Sequence, residues 1–141
     1  MYVIFEGIDG AGKSTQIARL AAAYPQAIVT KEPGGTKLGK NLREILLKEN
    51  DLDKRAEILL FLADRAEHFG KIIKPNLDKM ILSDRGFVSG MAYALAVGNF
   101  SLEELLNLNK FALQGNFPQK IVFFKADEST LRSRLNSRAQ M

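Results

Sequence analysis

The chain has 141 residues, 46% hydrophobic and 26% charged, which is the composition of one ordered globular domain. With no cysteine and a single histidine, His68, it excludes a disulfide scaffold, thiolate-held zinc or iron–sulfur, and any histidine-rich metal centre. A metal here must be held by oxygen, which points to Mg²⁺. The formal charge of +4 and pI near 9.4 suit a phosphorylated partner. No apolar run approaches the roughly 20 residues of a membrane span, and the first residues carry no basic leader. The expectation is a soluble, cytoplasmic protein with no membrane partner.

From the N-terminus, Tyr2 to Phe5 reads as a short buried strand running into Gly7. Lys13 to Tyr24 has helical spacing, with Ile17, Leu20 and Ala21 on one face, and Pro25 ends it. Ala27 to Thr30 is a second strand, closed by the turn residues Pro33-Gly34-Gly35. Leu38 to Lys48 is amphipathic through Leu38, Leu42, Ile45 and Leu46. Asp53 to His68 is a longer helix whose apolar period turns Ala56, Leu59, Leu60 and Ala63 inward. Met80 to Leu82 is a buried strand ending at Asp84, and Phe87 to Val97 a helix stopped by Gly98. Ser101 and Glu104 form a capping box for the next helix. Ile121 to Phe124 is a fourth apolar strand, and Asp127 caps a last helix carrying Leu131 and Leu135. Short strands alternating with helices imply a parallel sheet with helical crossovers, an α/β class. The five bases between Lys120 and Arg138, against two acids, read as a solvated helix face.

Gly7-Ile8-Asp9-Gly10-Ala11-Gly12-Lys13-Ser14 matches G-x-x-x-x-G-K-[ST] between a strand and a helix, and Thr15 follows. Glycines let the backbone turn several N–H groups onto one anion, and the helix adds its positive end. Lys13 suits the β- and γ-phosphates of ATP, and the Ser14 hydroxyl suits Mg²⁺. Four such positions match by chance in roughly one chain in a few hundred. Asp84, at the end of a buried strand, is the acid expected beside such a cradle. No Asn-Lys-x-Asp follows, since Asn109-Lys110-Phe111-Ala112 lacks the acid, so a regulatory GTPase is disfavoured. Asp9 is unusual, because a carboxylate inside a phosphate cradle should face outward to a neutral group such as a hydroxyl.

The cradle with Asp9, the run Lys31-Glu32-Pro33-Gly34-Gly35-Thr36, the run Phe61-Leu62-Ala63-Asp64-Arg65, and Asp84-Arg85 through Ser89 to Ala92-Tyr93 together resemble the thymidylate kinase family over essentially the whole chain. The resemblance implies a P-loop NTPase fold, a parallel sheet flanked by helices in three α/β/α layers, and transfer of the ATP γ-phosphoryl to dTMP. It implies that Asp9 accepts from the sugar 3′-hydroxyl, Phe61 stacks on thymine and Arg65 bonds the base edge. Arg43 and Arg85 would hold the acceptor phosphate, Asp84 would organise Mg²⁺, and Ser89 would lie near thymine N3. Tyr93 would stand where a 2′-hydroxyl would sit, and Pro33 would shape the acceptor loop.

Lys13, Arg85 and Arg138 are then the catalytic cations. Gly86, Gly90 and Ala94 depart from the family, which usually has an aromatic at the first position and polar residues at the others. Arg134 and Arg138 resemble the start of a lid near 132–141, in a single 1–141 kinase domain lacking the family's C-terminal segment. A chain ending there is expected to bind dTMP and to turn it over weakly or not at all. The family is usually homodimeric, and the helices Phe87–Val97 and Ser101–Gly115 are candidates for the contact. A deoxynucleoside kinase, the competing reading, would need a general base, for which Glu6 is the candidate. A non-catalytic P-loop ATPase is the other alternative. His68 is expected to be packed or exposed rather than catalytic.

Overall fold

A computed structural model describes residues 1–140. Four parallel strands form one sheet in the order β2-β3-β1-β4: β1 Tyr2–Glu6, β2 Ile28–Lys31, β3 Ile81–Asp84 and β4 Lys120–Phe123. Every residue of β1 is buried, because it pairs with β3 on one side and β4 on the other. Side chains alternate along it, so the two faces take different cores. Tyr2 and Ile4 pack with Phe69, Ile73, Ile81 and Leu113 on one face. Val3 and Phe5 pack with Ile17 and Leu82 on the other. The sheet is therefore the middle of three layers.

Helices connect the strands: α1 Lys13–Ala23, α2 Lys37–Lys48, α3 Lys54–His68, α4 Phe87–Val97, α5 Leu102–Ala112 and α6 Glu128–Ala139. Thr36, Asp53, Ser101 and Asp127 cap α2, α3, α5 and α6 through their side chains, and the Ser101–Glu104 capping box is complete. After His68 the chain keeps winding, through a wide π turn at Phe69–Ile73 and a tight 3₁₀ turn at Lys74–Asn76.

Two expectations about packing are corrected. In α3, Leu59 and Ala63 are exposed, and the buried positions are Ile58, Asp64, Arg65 and His68. The inner face is charged, which an apolar period does not detect. In α2, Leu38 and Ile45 are exposed and Leu42 alone of that set is fully buried. The apolar β4 is exposed along its length, because among the described residues it pairs only with β1. On α6, Leu131 is buried and Leu135 is partly open.

Candidate active site

The phosphate loop joins β1 to α1. Gly7, Gly10 and Gly12 take φ of +141°, +86° and +103°, in the left-handed region that side chains disfavour. A Cβ at Gly7 would also stand 2.7 Å from the Phe124 carbonyl oxygen. Gly12 is the N-cap of α1, so the loop is closed by the helix's positive end. Lys13 is buried, and its Nζ donates to the Gly7 and Ile8 carbonyls at 2.8 and 3.1 Å. Burial first, then the Arg85 charge, holds the Lys13 ammonium below its ordinary value.

From outside, α6 packs on the loop. Arg134 Nη1 donates to the Gly10 carbonyl at 2.8 Å, while Leu131 and Leu135 lie against Gly10.

Two clefts open side by side. One, of about 270 Å³, has Lys13, Ser14, Lys31, Asp84 and Arg138 along its walls. The other, of about 310 Å³, has Pro33, Phe61, Arg65, Ser89 and Tyr93. Asp9, Glu32, Arg43 and Arg85 border both, so two guanidinium groups stand at the seam. Such a pair of planar forks suits a phosphate lying between the clefts. Ser14 and Asp84 in the first cleft offer a hydroxyl and a carboxylate, the donor set of a hard cation.

Most of the residues singled out from sequence meet here, and some do not. Gly10, Gly12, Lys13 and Ser14 line the phosphate cleft, whereas Gly7, Ile8 and Ala11 shape the loop without lining it. Thr15 is exposed on α1 and borders neither cleft. The Asp9 carboxylate accepts from Arg85 Nη2 at 2.9 Å, and its side chain is otherwise open to the clefts. That hydrogen bond, more than the charge of Arg85 or Lys13, lowers the Asp9 pKa.

Arg43 is exposed and donates through Nη1 to the Pro33 carbonyl at 3.0 Å. Tyr93 donates to Glu57 Oε1 at 2.7 Å, with Phe61 tilted against its ring at a centroid distance of 6.1 Å.

Behind the second cleft lies a buried network that sequence reasoning missed. Arg65 is held at three points: Nε donates to Glu32 Oε2 at 2.9 Å, Nη1 to Asn109 Oδ1 at 2.7 Å, and Nη2 to the Gly86 carbonyl at 3.2 Å. The other oxygen of Glu32 meets His68 Nδ1 at 2.8 Å, and His68 Nε2 meets Thr30 Oγ1 at 2.6 Å. Burial pushes the Glu32 carboxyl up, but the Arg65 charge and the His68 hydrogen bond outweigh it and leave it below the ordinary 4.5. Asp64 accepts from the Gly34 N–H at 2.9 Å and so fixes the turn after Pro33. His68 is thus packed, as expected, and it braces this loop. The signals for the network in the sequence were Glu32 inside the Lys31-to-Thr36 run and Arg65 at the end of the run from Phe61.

The comparisons with known proteins agree with this geometry. The family model described as thymidylate kinase matches residues 5–141. This chain belongs to the thymidylate kinase family. It is 64% identical to the thymidylate kinase of Campylobacter concisus, over 98% of this chain and 72% of that protein. It is 54% identical to that of Sulfurovum sp., with the same coverage. The crystal structure of thymidylate kinase from Ehrlichia chaffeensis superimposes with a TM-score of 0.83 at 34% identity, covering 99% of this chain and 80% of that one.

Two of the departures from the family's usual residues have a local reason. A Cβ at Gly86 would stand 2.8 Å from Ile4 Cγ2, and one at Gly90 would stand 3.2 Å from Arg65 Nη2. Glycine at 90 leaves room beside the buried Arg65 guanidinium.

Proposed function

We propose that this thymidylate kinase transfers the γ-phosphoryl group of ATP to dTMP, giving dTDP and ADP. The observation that carries the reading is the seam, where Arg43 and Arg85 border both the P-loop cleft and the aromatic cleft. A phosphate oxygen of dTMP attacks Pγ, the bond from Pγ to the β-bridging oxygen breaks, and ADP leaves with that oxygen. The attacking group is already an anion, so no side-chain base is needed, and catalysis rests on alignment and on neutralising charge.

In this reading Lys13 and the loop N–H groups hold the donor phosphates, Arg85 and Arg43 hold the acceptor phosphate, and Arg138 adds charge from the far wall. Phe61 and Arg65 take thymine, with Ser89 beside it, while Asp9 and Tyr93 flank the sugar. Ser14 and Asp84 would hold Mg²⁺. Bound there, the ion would draw charge from the donor phosphates. Among the described residues no cluster of three or more His, Asp or Glu forms a metal cage, which suits an ion held mainly by phosphates and water.

The substrates are soluble nucleotides, so we assign the reaction to the cytoplasm. The exposed apolar face of α3 and α5, with Leu59, Leu108 and Phe111 around a groove of about 560 Å³, is assigned to a homodimer.

The test is release of ADP from ATP·Mg²⁺ with dTMP, dUMP, dCMP, AMP or thymidine as acceptor. Binding of dTMP is the expected outcome, with whatever turnover there is favouring dTMP over dUMP by the roughly 0.8 kcal/mol of one buried methyl. Preferred turnover of thymidine, or no binding of dTMP, would overturn the assignment.

A further inference from the structure

We propose that Glu6 is a positioning residue that sets the reach of Arg85 toward the acceptor phosphate, acting through the hydroxyl of Ser89. This rests on the reading of Arg85 as an acceptor-phosphate ligand.

Glu6 ends the central strand and is almost wholly buried, and it borders neither cleft. Both of its oxygens are engaged. Oε1 accepts from the N–H groups of Gly86 and Ser89, at 2.9 and 3.3 Å. These belong to the N-cap and third residue of α4, which has no side-chain cap of its own. Glu6 therefore caps that helix from another strand. Oε2 accepts from the Ser89 hydroxyl. A carboxylate so committed is unsuited to be the base that a nucleoside kinase would require.

The Ser89 hydroxyl has one proton, and it goes to Glu6. Toward Arg85 the oxygen can then only accept, and Arg85 Nη1 donates to it at 3.0 Å. The other terminal nitrogen of Arg85 donates to Asp9, whose side chain is 82% exposed. Of the two anchors, only the Ser89 side is fixed by a buried group. Arg85 also leaves the end of β3 at φ +68°, a conformation uncommon for a side-chain-bearing residue. Backbone and side chain are thus both turned toward the seam, and Glu6 fixes the proton that makes the side-chain contact one-directional. Glutamine at position 6 could present its NH₂ to Ser89, which would free the serine proton to point at the guanidinium.

The experiment measures binding of dTMP and of thymidine by calorimetry to the full chain as wild type, Glu6→Gln, Ser89→Ala, Arg85→Ala and Glu6→Gln/Arg85→Ala. Glu6→Gln is expected to weaken dTMP about tenfold, the scale of one hydrogen bond to a charged group, while leaving thymidine binding unchanged, and Ser89→Ala, at a residue that also borders the base, is expected to weaken dTMP about tenfold more than it weakens thymidine. On the Arg85→Ala background, Glu6→Gln should add less than about twofold, because the two act as a unit. Equal weakening of dTMP and thymidine, or a full additional factor on Arg85→Ala, would overturn the proposal in favour of a purely structural cap. Should Glu6→Gln fail to fold, Ser89→Ala decides alone: unchanged dTMP binding, or thymidine weakened as much as dTMP, overturns it. Wild-type protein that does not bind dTMP would overturn the proposed function and with it the role of Glu6, whereas the other outcomes overturn the role of Glu6 alone.

Discussion

The two clefts are built by different means. The acceptor side is walled by buried side chains already paired with one another: Arg65 with Glu32, Asn109 and Gly86, and Glu32 with His68. The phosphate side is built on a backbone loop, three left-handed glycines and a helix end, rimmed by charged side chains, and Lys13 is bonded to the loop's own carbonyls. A base must be told from similar bases, which calls for polar atoms at fixed positions. A polyphosphate needs charge and N–H groups, and a tight loop supplies these with few side chains. Removing a side chain should therefore cost stability on the first side and turnover on the second.

The largest expected effect is on the acceptor side. Glu32→Ala leaves the Arg65 guanidinium buried without its carboxylate and should destabilise the fold by about 3–5 kcal/mol in urea unfolding. Glu32→Gln tests the same pair through pH. The folded carboxyl is held below 4.5, so below that pH the unfolded chain binds more protons than the folded one. Stability contributed by Glu32 is then present above about pH 4.5 and is lost as pH falls through the folded value. The Gln variant should show a flatter acid limb, and an unchanged limb would break the contrast.

Next comes Lys13→Ala, which should lower kcat by about 10²–10³ with dTMP affinity and melting temperature nearly unchanged. A large loss of stability there would erase the distinction between the clefts.

The smallest effect should come from a surface that belongs to neither cleft. Phe111→Asp, at a residue 85% exposed, should shift protomer stability by no more than about 0.5 kcal/mol. Sedimentation of this variant should report monomer where the wild type reports dimer. Loss of dTMP binding in the monomer would mean that the acceptor side depends on a second copy.

The same contrast explains what could be read in the sequence. The cradle was legible because its chemistry is local: the glycines, Lys13 and Ser14 lie within eight residues, and Asp84 follows from one buried strand. Alternating short strands and helices were enough for the parallel sheet. The network behind Arg65 was not legible, because its members come from β2 and the residue after it, α3, the start of α4 and α5, and are joined only by folding. The apolar period of α3 chose Leu59 and Ala63, since Asp64, Arg65 and His68 are buried by pairing and carry no hydrophobic signature. The pairing of Asp9 with Arg85 was not legible either, because the two lie 76 positions apart. The exposed face of β4 was hidden for the opposite reason, since an apolar edge strand and an apolar interior strand have the same composition.

The position of β1 has a consequence for how the molecule opens. Its amides and carbonyls are shared with strands on both sides and all of its residues are buried, so sub-global fluctuations that expose it require nearly the whole sheet to part. β2 is bonded on one side only and alternates between half-buried and exposed. Amide exchange should accordingly be slowest in the strand that carries the phosphate loop and faster in the strand that carries the Pro33 turn. Partial unfolding would release the nucleobase pocket while the anion-binding loop is still intact.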